Sequence, residues 1–402
     1  MRIFATILGL LCCLGVMLDA FQTIILPRRP AGRFRITRLF YLATWTPWVW
    51  FAEHLCTRKI REQFYSVYGP GSLLLLLVLW AALLVTGFGL LYFAVGTPLA
   101  DALNPHATLL TNLRTDLYFS GTTLVTLGLG DVTPTHLPAR FLAVLECGTG
   151  LGFVALVIGY IPVIYTAFSH REVSVAMLDG RAGSPPTATE LLRRHAYEGG
   201  EVELIALLAE WERWSAEILE SHISYPLLCY YRSQHDNQSW LSALVAVLDA
   251  CALLITTVEG PSARQAQLTF AMARHALIDL GHVFNQEERA KRKTLEGVDR
   301  LPPEAFGNLC ENLAGLHLKL CGDASSMGRL TAIRTLYEPH AHALSEYLRM
   351  DLPLWVPEPK KSDPWKTVAA LRRSNAEAAL LASEHVSERA LATHLHDEEH
   401  GF

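Results

Sequence analysis

Thr122-Thr123-Leu124-Val125-Thr126-Leu127-Gly128-Leu129-Gly130-Asp131 lies between two long apolar segments, and its reading decides the fold. Glycines at alternate positions, a hydroxyl at 126 and an acid at 131 suit the interior of a membrane helix poorly, because glycine admits backbone conformations that an L-residue resists. Non-helical backbone at membrane depth is tolerated where it is buried in protein or lines a water-filled cavity. The flanking segments therefore predict two membrane helices with a re-entrant stretch between them.

Within this stretch Thr126, Gly128, Gly130 and Asp131 match the Thr-Val-Gly-Tyr-Gly-Asp filter of the potassium channel family, which the segment resembles. Leu127 and Leu129 depart from it, standing where the family has valine and an aromatic. The resemblance, of the two-transmembrane pore-loop type, covers about residues 70–170. It implies a homotetramer whose backbone carbonyls at Thr126, Leu127, Gly128, Leu129, Gly130 and Asp131 replace the water shell of a permeant K+. It also matches Arg140, at the family's distance from the filter, and Gly150 ten residues on. No cofactor or bound metal beyond the permeant ion is expected.

Outward from the filter, Leu113–Val125 fits a pore helix of about three turns whose C-terminal partial negative charge favours a cation. Gly96–Asn112 has no Lys or Arg and suits an external loop. Leu73–Val95 carries no charge and is long enough to span. The expected pore module thus has an outer helix over 72–95, a pore helix over 113–125, a filter over 126–131 and an inner helix over 138–168. In the inner helix Glu146 is an intramembrane acid, a functional candidate by default, with Ser120, Thr122 or Thr123 as partners; a structural hydrogen bond bracing the filter is preferred for it over ion binding. Gly148, Gly150 and Gly152 imitate a nucleotide fingerprint but sit within a span. Gly150 is read either as a hinge or as a packing residue, and Pro162 as a kink. Leu151, Val154 and Ile158 share a stripe that continues to Pro162 and Tyr165, an apolar cavity wall able to gate by dewetting.

Residues 1–26 form an apolar run. A signal peptide has an h-region of this length, but no clean small-x-small cleavage site follows, and an extra transmembrane helix is expected. Residues 27–69 are rich in Arg and Lys, so the positive-inside rule assigns them to the cytoplasm and the N-terminus to the outside. There Trp45, Pro47, Trp48, Trp50 and Phe51 suggest an interfacial helix, a second span over 36–55 being the competing reading.

The 402-residue chain is half apolar, with a net charge of -5 that gives no reason to invoke nucleic acid. Its eight cysteines show no C-x-x-C spacing and read as reduced, packed thiols. Residues 171–402 read as a cytoplasmic α-helical domain, with helices over Leu191–Ile223, Trp240–Val258, Arg264–Phe284 and Pro303–Leu320. Its ligand or protein partner is not readable. His235–Trp240 reads as a helix N-cap at Asn237 or Ser239, Trp211 and Trp214 as core, Glu287–Lys293 as a charged face or loop, and His394–His400 as a solvated terminus. Nothing in the chain forms a catalytic constellation.

The fold expected is an all-α membrane protein: a two-transmembrane pore-loop module, an extra N-terminal transmembrane helix and a C-terminal α-helical domain. The function expected is a potassium channel, homotetrameric, in the plasma (inner) membrane. The alternatives are a nonselective monovalent cation channel and a membrane-anchored α-helical signalling or scaffold protein with a non-conducting pore. No Arg-rich helix of the voltage-sensor kind is present.

Overall fold

The computed structural model describes residues 1–26, 35–97, 99–101, 108–234, 238–258, 260–297, 299–313 and 324–356. The protein is an all-α membrane protein; the strands among these residues are two three-residue pieces. The chain divides into two compact units, Met1–Thr166 and Ala167–Phe402.

In the first unit, α1 (Arg2–Ala20) continues as one π-helical turn to Ile25. It runs antiparallel to α3 (Arg58–Val95), with Arg2 beside Gly96 and Gly9 beside Gly87. A Cβ on Gly9 would lie 2.8 Å from the Gly87 carbonyl oxygen, so small residues let the two backbones meet, as membrane helices do in place of hydrophobic segregation. The C-terminal end of α1 is fixed by Asp19, a buried acid that accepts from Thr37 N (2.9 Å), Thr37 Oγ1 (2.6 Å) and Trp80 Nε1 (3.0 Å), with Arg35 Nε at 3.6 Å. Asp19 thereby caps the first turn of α2 (Ile36–Leu55) and ties it to α3.

Two expectations change here. The outer helix does not begin at 72: α3 starts at Arg58, so 58–69 belong to it and not to a separate basic segment. At 38 residues it is about 57 Å long, far more than the roughly 30 Å hydrocarbon thickness. Its interior Pro70 is accommodated, with Ser72 Oγ donating to the Gly69 carbonyl (2.9 Å). The aromatic residues of α2 pack on this extension: Trp48 stacks on Phe64 with ring centroids 4.2 Å apart, Trp45 lies 4.7 Å from Tyr68, and Trp48 Nε1 donates to the Phe64 carbonyl. Trp45 and Trp48 thus serve helix pairing, while Trp50 and Phe51 stay exposed.

The pore helix α4 spans Leu109–Leu124 where 113–125 was expected, and α5 spans Leu137–Ala182 where 138–168 was expected, not ending at Pro162. Between α3 and α5, β1 (Leu99–Asp101) pairs antiparallel with β2 (Val132–Pro134).

The second unit is helical: α6 (Ala188–His195), α7 (Gly200–Ser224), α8 (Trp240–Thr257), α9 (Pro261–Val283), α10 (Glu287–Glu296), α11 (Pro303–Leu313), α12 (Ala324–Arg334) and α13 (Glu338–Leu348). The helix expected over 191–223 is two, because Gly199 adopts φ +85° and Gly200 approaches the His195 carbonyl so closely that a Cβ would lie 2.1 Å from its oxygen. Glu287–Lys293 is helical, as part of α10. Ser239, not Asn237, caps α8, accepting from Ser242 N. Trp211 and Trp214 are buried with centroids 4.4 Å apart. At the centre α8 is buried nearly end to end and carries Asp249, which receives two bonds from Arg300 (2.9 and 2.6 Å) and one from Tyr337 Oη (2.5 Å).

Candidate functional site

The re-entrant element starts at Thr108, whose Oγ1 accepts from Thr111 N and caps α4. The helix lies against α3, where Gly89 leaves room for Leu117: a Cβ there would meet the leucine side chain at 2.8 Å. At its C-terminus Thr126 N donates to the Thr123 carbonyl (3.0 Å) and Leu127 N to the Thr122 carbonyl (2.8 Å), so the chain turns directly from the helix into the predicted filter.

There the backbone alternates. Thr126, Gly128 and Gly130 have φ of +58°, +56° and +78°, while Leu127 and Leu129 between them stay at negative φ. In an extended strand successive carbonyls point to opposite sides. Alternation between left-handed and ordinary conformations instead turns successive peptides the same way, aligning N–H groups on one side and oxygens on the other. Val125, Leu127 and Leu129 present exposed side chains. Glycine at 128 and 130 is what this geometry asks for.

The far end of the loop is held by several connections. Tyr118 Oη on α4 donates to Asp131 Oδ2 (2.7 Å), bracing the loop from the pore helix where Leu129 offers no hydroxyl. The β1–β2 pair joins the segment after the 126–131 loop to the one after α3, and Thr115 Oγ1 donates to Asp101 while Thr97 Oγ1 donates to Asp116, both at 2.9 Å. Arg140 Nε donates to the Pro134 carbonyl (3.3 Å).

On α5, behind the 126–131 loop, Glu146 is buried. Tyr92 Oη on α3 donates to its Oε2 (2.8 Å), and Ser120 Oγ on α4 contacts its Oε1 and donates to the Val85 carbonyl (2.9 Å). Of the partners expected, Ser120 is the one found. Gly150, one turn further along α5, packs against the end of α4: a Cβ would lie 1.9 Å from the Leu124 carbonyl oxygen. At Gly150 α5 and α4 thus meet in close backbone packing. Gly148 and Gly152 have nothing within 4 Å of such a Cβ. Leu151, Val154, Ile158, Pro162 and Tyr165 are all exposed in the single chain.

Sequence reading did not single out Tyr92, Tyr118 or Asp19. A tyrosine within a charge-free span was the available signal for Tyr92, since its hydroxyl needs a partner once buried. His235, Asp236 and Asn237 and the His394–His400 cluster lie outside the described residues.

Comparison with known proteins agrees with this architecture. The ion channel family model, of the two-transmembrane pore-loop type, matches residues 76–166. The chain is also 27% identical over 315 residues to an uncharacterized membrane protein, YdjJ, of Bacillus subtilis (strain 168), covering 74% of this chain and 81% of that protein. No solved structure matches.

Proposed function

From a region, residues 76–166, that matches the two-transmembrane pore-loop ion channels, we propose that four copies of this chain form a channel that conducts potassium across the plasma membrane. The observation that carries the reading is the alternation of positive φ at Thr126, Gly128 and Gly130 directly after the C-terminus of a pore helix. Aligned backbone oxygens offer a dehydrated cation a substitute for its water shell, and the helix terminus adds partial negative charge. One chain supplies one wall of such a site. The exposed Leu127 and Leu129 and the bare inner-helix stripe Leu151, Val154, Ile158 and Tyr165 are apolar surface that neighbouring copies would cover. This supports a homotetramer around a central pore.

Reconstitution of the purified chain into liposomes tests the proposal. Uptake of potassium in preference to sodium, from particles whose cross-linked mass is that of a tetramer, is the expected result. Equal passage of both ions would reassign the chain to nonselective cation conduction, to which the absence of a hydroxyl at Leu129 lends weight. Passage of neither would leave the α-helical domain as the seat of function.

A further inference from the structure

We propose that Glu146 is held as a neutral carboxylic acid, and that its proton completes a hydrogen-bonded chain fixing the pore helix to both membrane helices. The role as a positioning residue for the filter rests on the channel reading; the proton assignment does not.

The assignment comes from counting donors. Ser120 carries one hydroxyl proton. Its Oγ contacts two oxygens, the Val85 carbonyl at 2.9 Å and Glu146 Oε1, and a carbonyl can only accept. Tyr92 Oη, at 2.8 Å, already gives its single proton to Glu146 Oε2. If Glu146 were ionised, Ser120 would have to serve two acceptors with one proton, leaving one buried oxygen facing another. With a proton on Oε1 every contact is made: Glu146 donates to Ser120, Ser120 donates to the Val85 carbonyl, and Tyr92 donates to Oε2. A fully paired buried network of this kind is stiff, and an unpaired member is costly.

The chain ties α5 to α4 and both to α3 at two points, and sits one turn from where Gly150 meets the Leu124 carbonyl. Glu146 and Gly150 on α5 are four residues apart, as are their partners Ser120 and Leu124 on α4, so the two helices are in register over two consecutive turns. Ser120 is followed at once by Gly121–Thr123, whose carbonyls receive the N–H groups of Val125, Leu127 and Thr126. Loosening this joint therefore moves the first residues of the filter.

Glutamine keeps the shape, offers an N–H to Ser120 and still accepts from Tyr92. The test pairs infrared difference spectra of the full-length protein, wild type minus Glu146→Gln, with potassium and sodium flux in liposomes. A carboxylic-acid carbonyl band at neutral pH, absent in Glu146→Gln and moved to the position of a less hydrogen-bonded acid in Ser120→Ala, is expected. In flux, Glu146→Gln should keep its ion preference while Glu146→Ala loses about tenfold of it. A carboxylate pair in place of the acid band, or a Glu146→Gln channel as impaired as Glu146→Ala, overturns the proposal. Because the band is read without flux, a protein that conducts nothing refutes the channel reading and leaves the proton assignment to be decided separately.

Discussion

Thr126 holds φ at +58°, a conformation that β-branched residues resist, and it does so where the helix hands over to the loop. Gly128 and Gly130 adopt the same region without that cost. Replacing Gly130 by alanine puts a Cβ at φ +78°, destabilising the loop by roughly 1 kcal/mol or more in each chain. The expected result is a protein that still inserts but has lost potassium preference, as liposome flux would report. At Gly150 the demand is different. A methyl 1.9 Å from the Leu124 oxygen forces α5 away from α4, at about 1–3 kcal/mol or more for overpacking. Gly150→Ala should lower the melting temperature of the detergent-solubilised protein, whereas Gly152→Ala, with open space around it in the chain, should leave it nearly unchanged. The positive φ at Gly128 and Gly130 was legible because the spacing of the glycines is itself the signal. Gly150 was ambiguous, since a bending glycine and a packing glycine share one letter, and the Leu124 carbonyl opposite it is a contact between elements that no sequence pattern shows.

Among elements, α8 and its partners give the C-terminal α-helical domain its fixed core. Asp249, Arg300, Arg334, Glu338 and Asp299 form a connected set of ion pairs, with both guanidiniums over the Trp355 ring at 5.6 and 5.3 Å. Removing one partner leaves a buried charge behind, so Arg300→Met should destabilise the domain by about 3–5 kcal/mol, measurable by chemical denaturation of the full chain. Histidines give the same domain a pH dependence. His222 is fully buried, its Nε2 3.2 Å from Arg171 Nη1, and burial followed by that charge holds its pKa well below the ordinary value. Burial likewise lowers His195 and pushes His342 down to about 4. In the unfolded chain these groups take up protons near pH 6.5, which the folded domain refuses. Their contribution is therefore complete above about pH 6.5 and is lost as pH falls from there towards their folded values. Melting temperature should drop between pH 7.5 and 5, with a shallower slope in His222→Gln, which retains an acceptor for Arg171 without the titration. Apolar periodicity located the segments of α7, α8, α9 and α11, but not α12 or α13, whose apolar spacing was not picked out. What periodicity concealed was the break at Gly199–Gly200, because the apolar spacing continues across it, and the true start of α3 at Arg58, because its first turns are charged and paired with α2 instead of lipid.

At the scale of the whole chain, Arg2 beside Gly96 puts the N-terminus of α1 and the end of α3 at the same end of the first unit, with the turn at Cys56 at the other end of α3. Combined with the basic excess of 28–61, this predicts that a membrane-impermeant thiol reagent will not label Cys56 in intact cells; ready labelling from outside would invert the topology. The enclosed α8 raises a problem of biosynthesis. Trp240–Thr257 is long and apolar enough to cross a membrane, yet it is 89% buried inside the domain. It leaves the ribosome before Arg300 and Tyr337, which later engage it, have been made. During that interval the carboxylate of Asp249, at the middle of the eighteen residues, disfavours entry into the bilayer by about 2.5–3.5 kcal/mol. The group that later anchors the core thus first keeps the segment in water. Asp249→Leu should send a fraction of nascent chains through the membrane at this point, carrying a reporter fused beyond Val283 to the opposite side from its place in the unaltered protein.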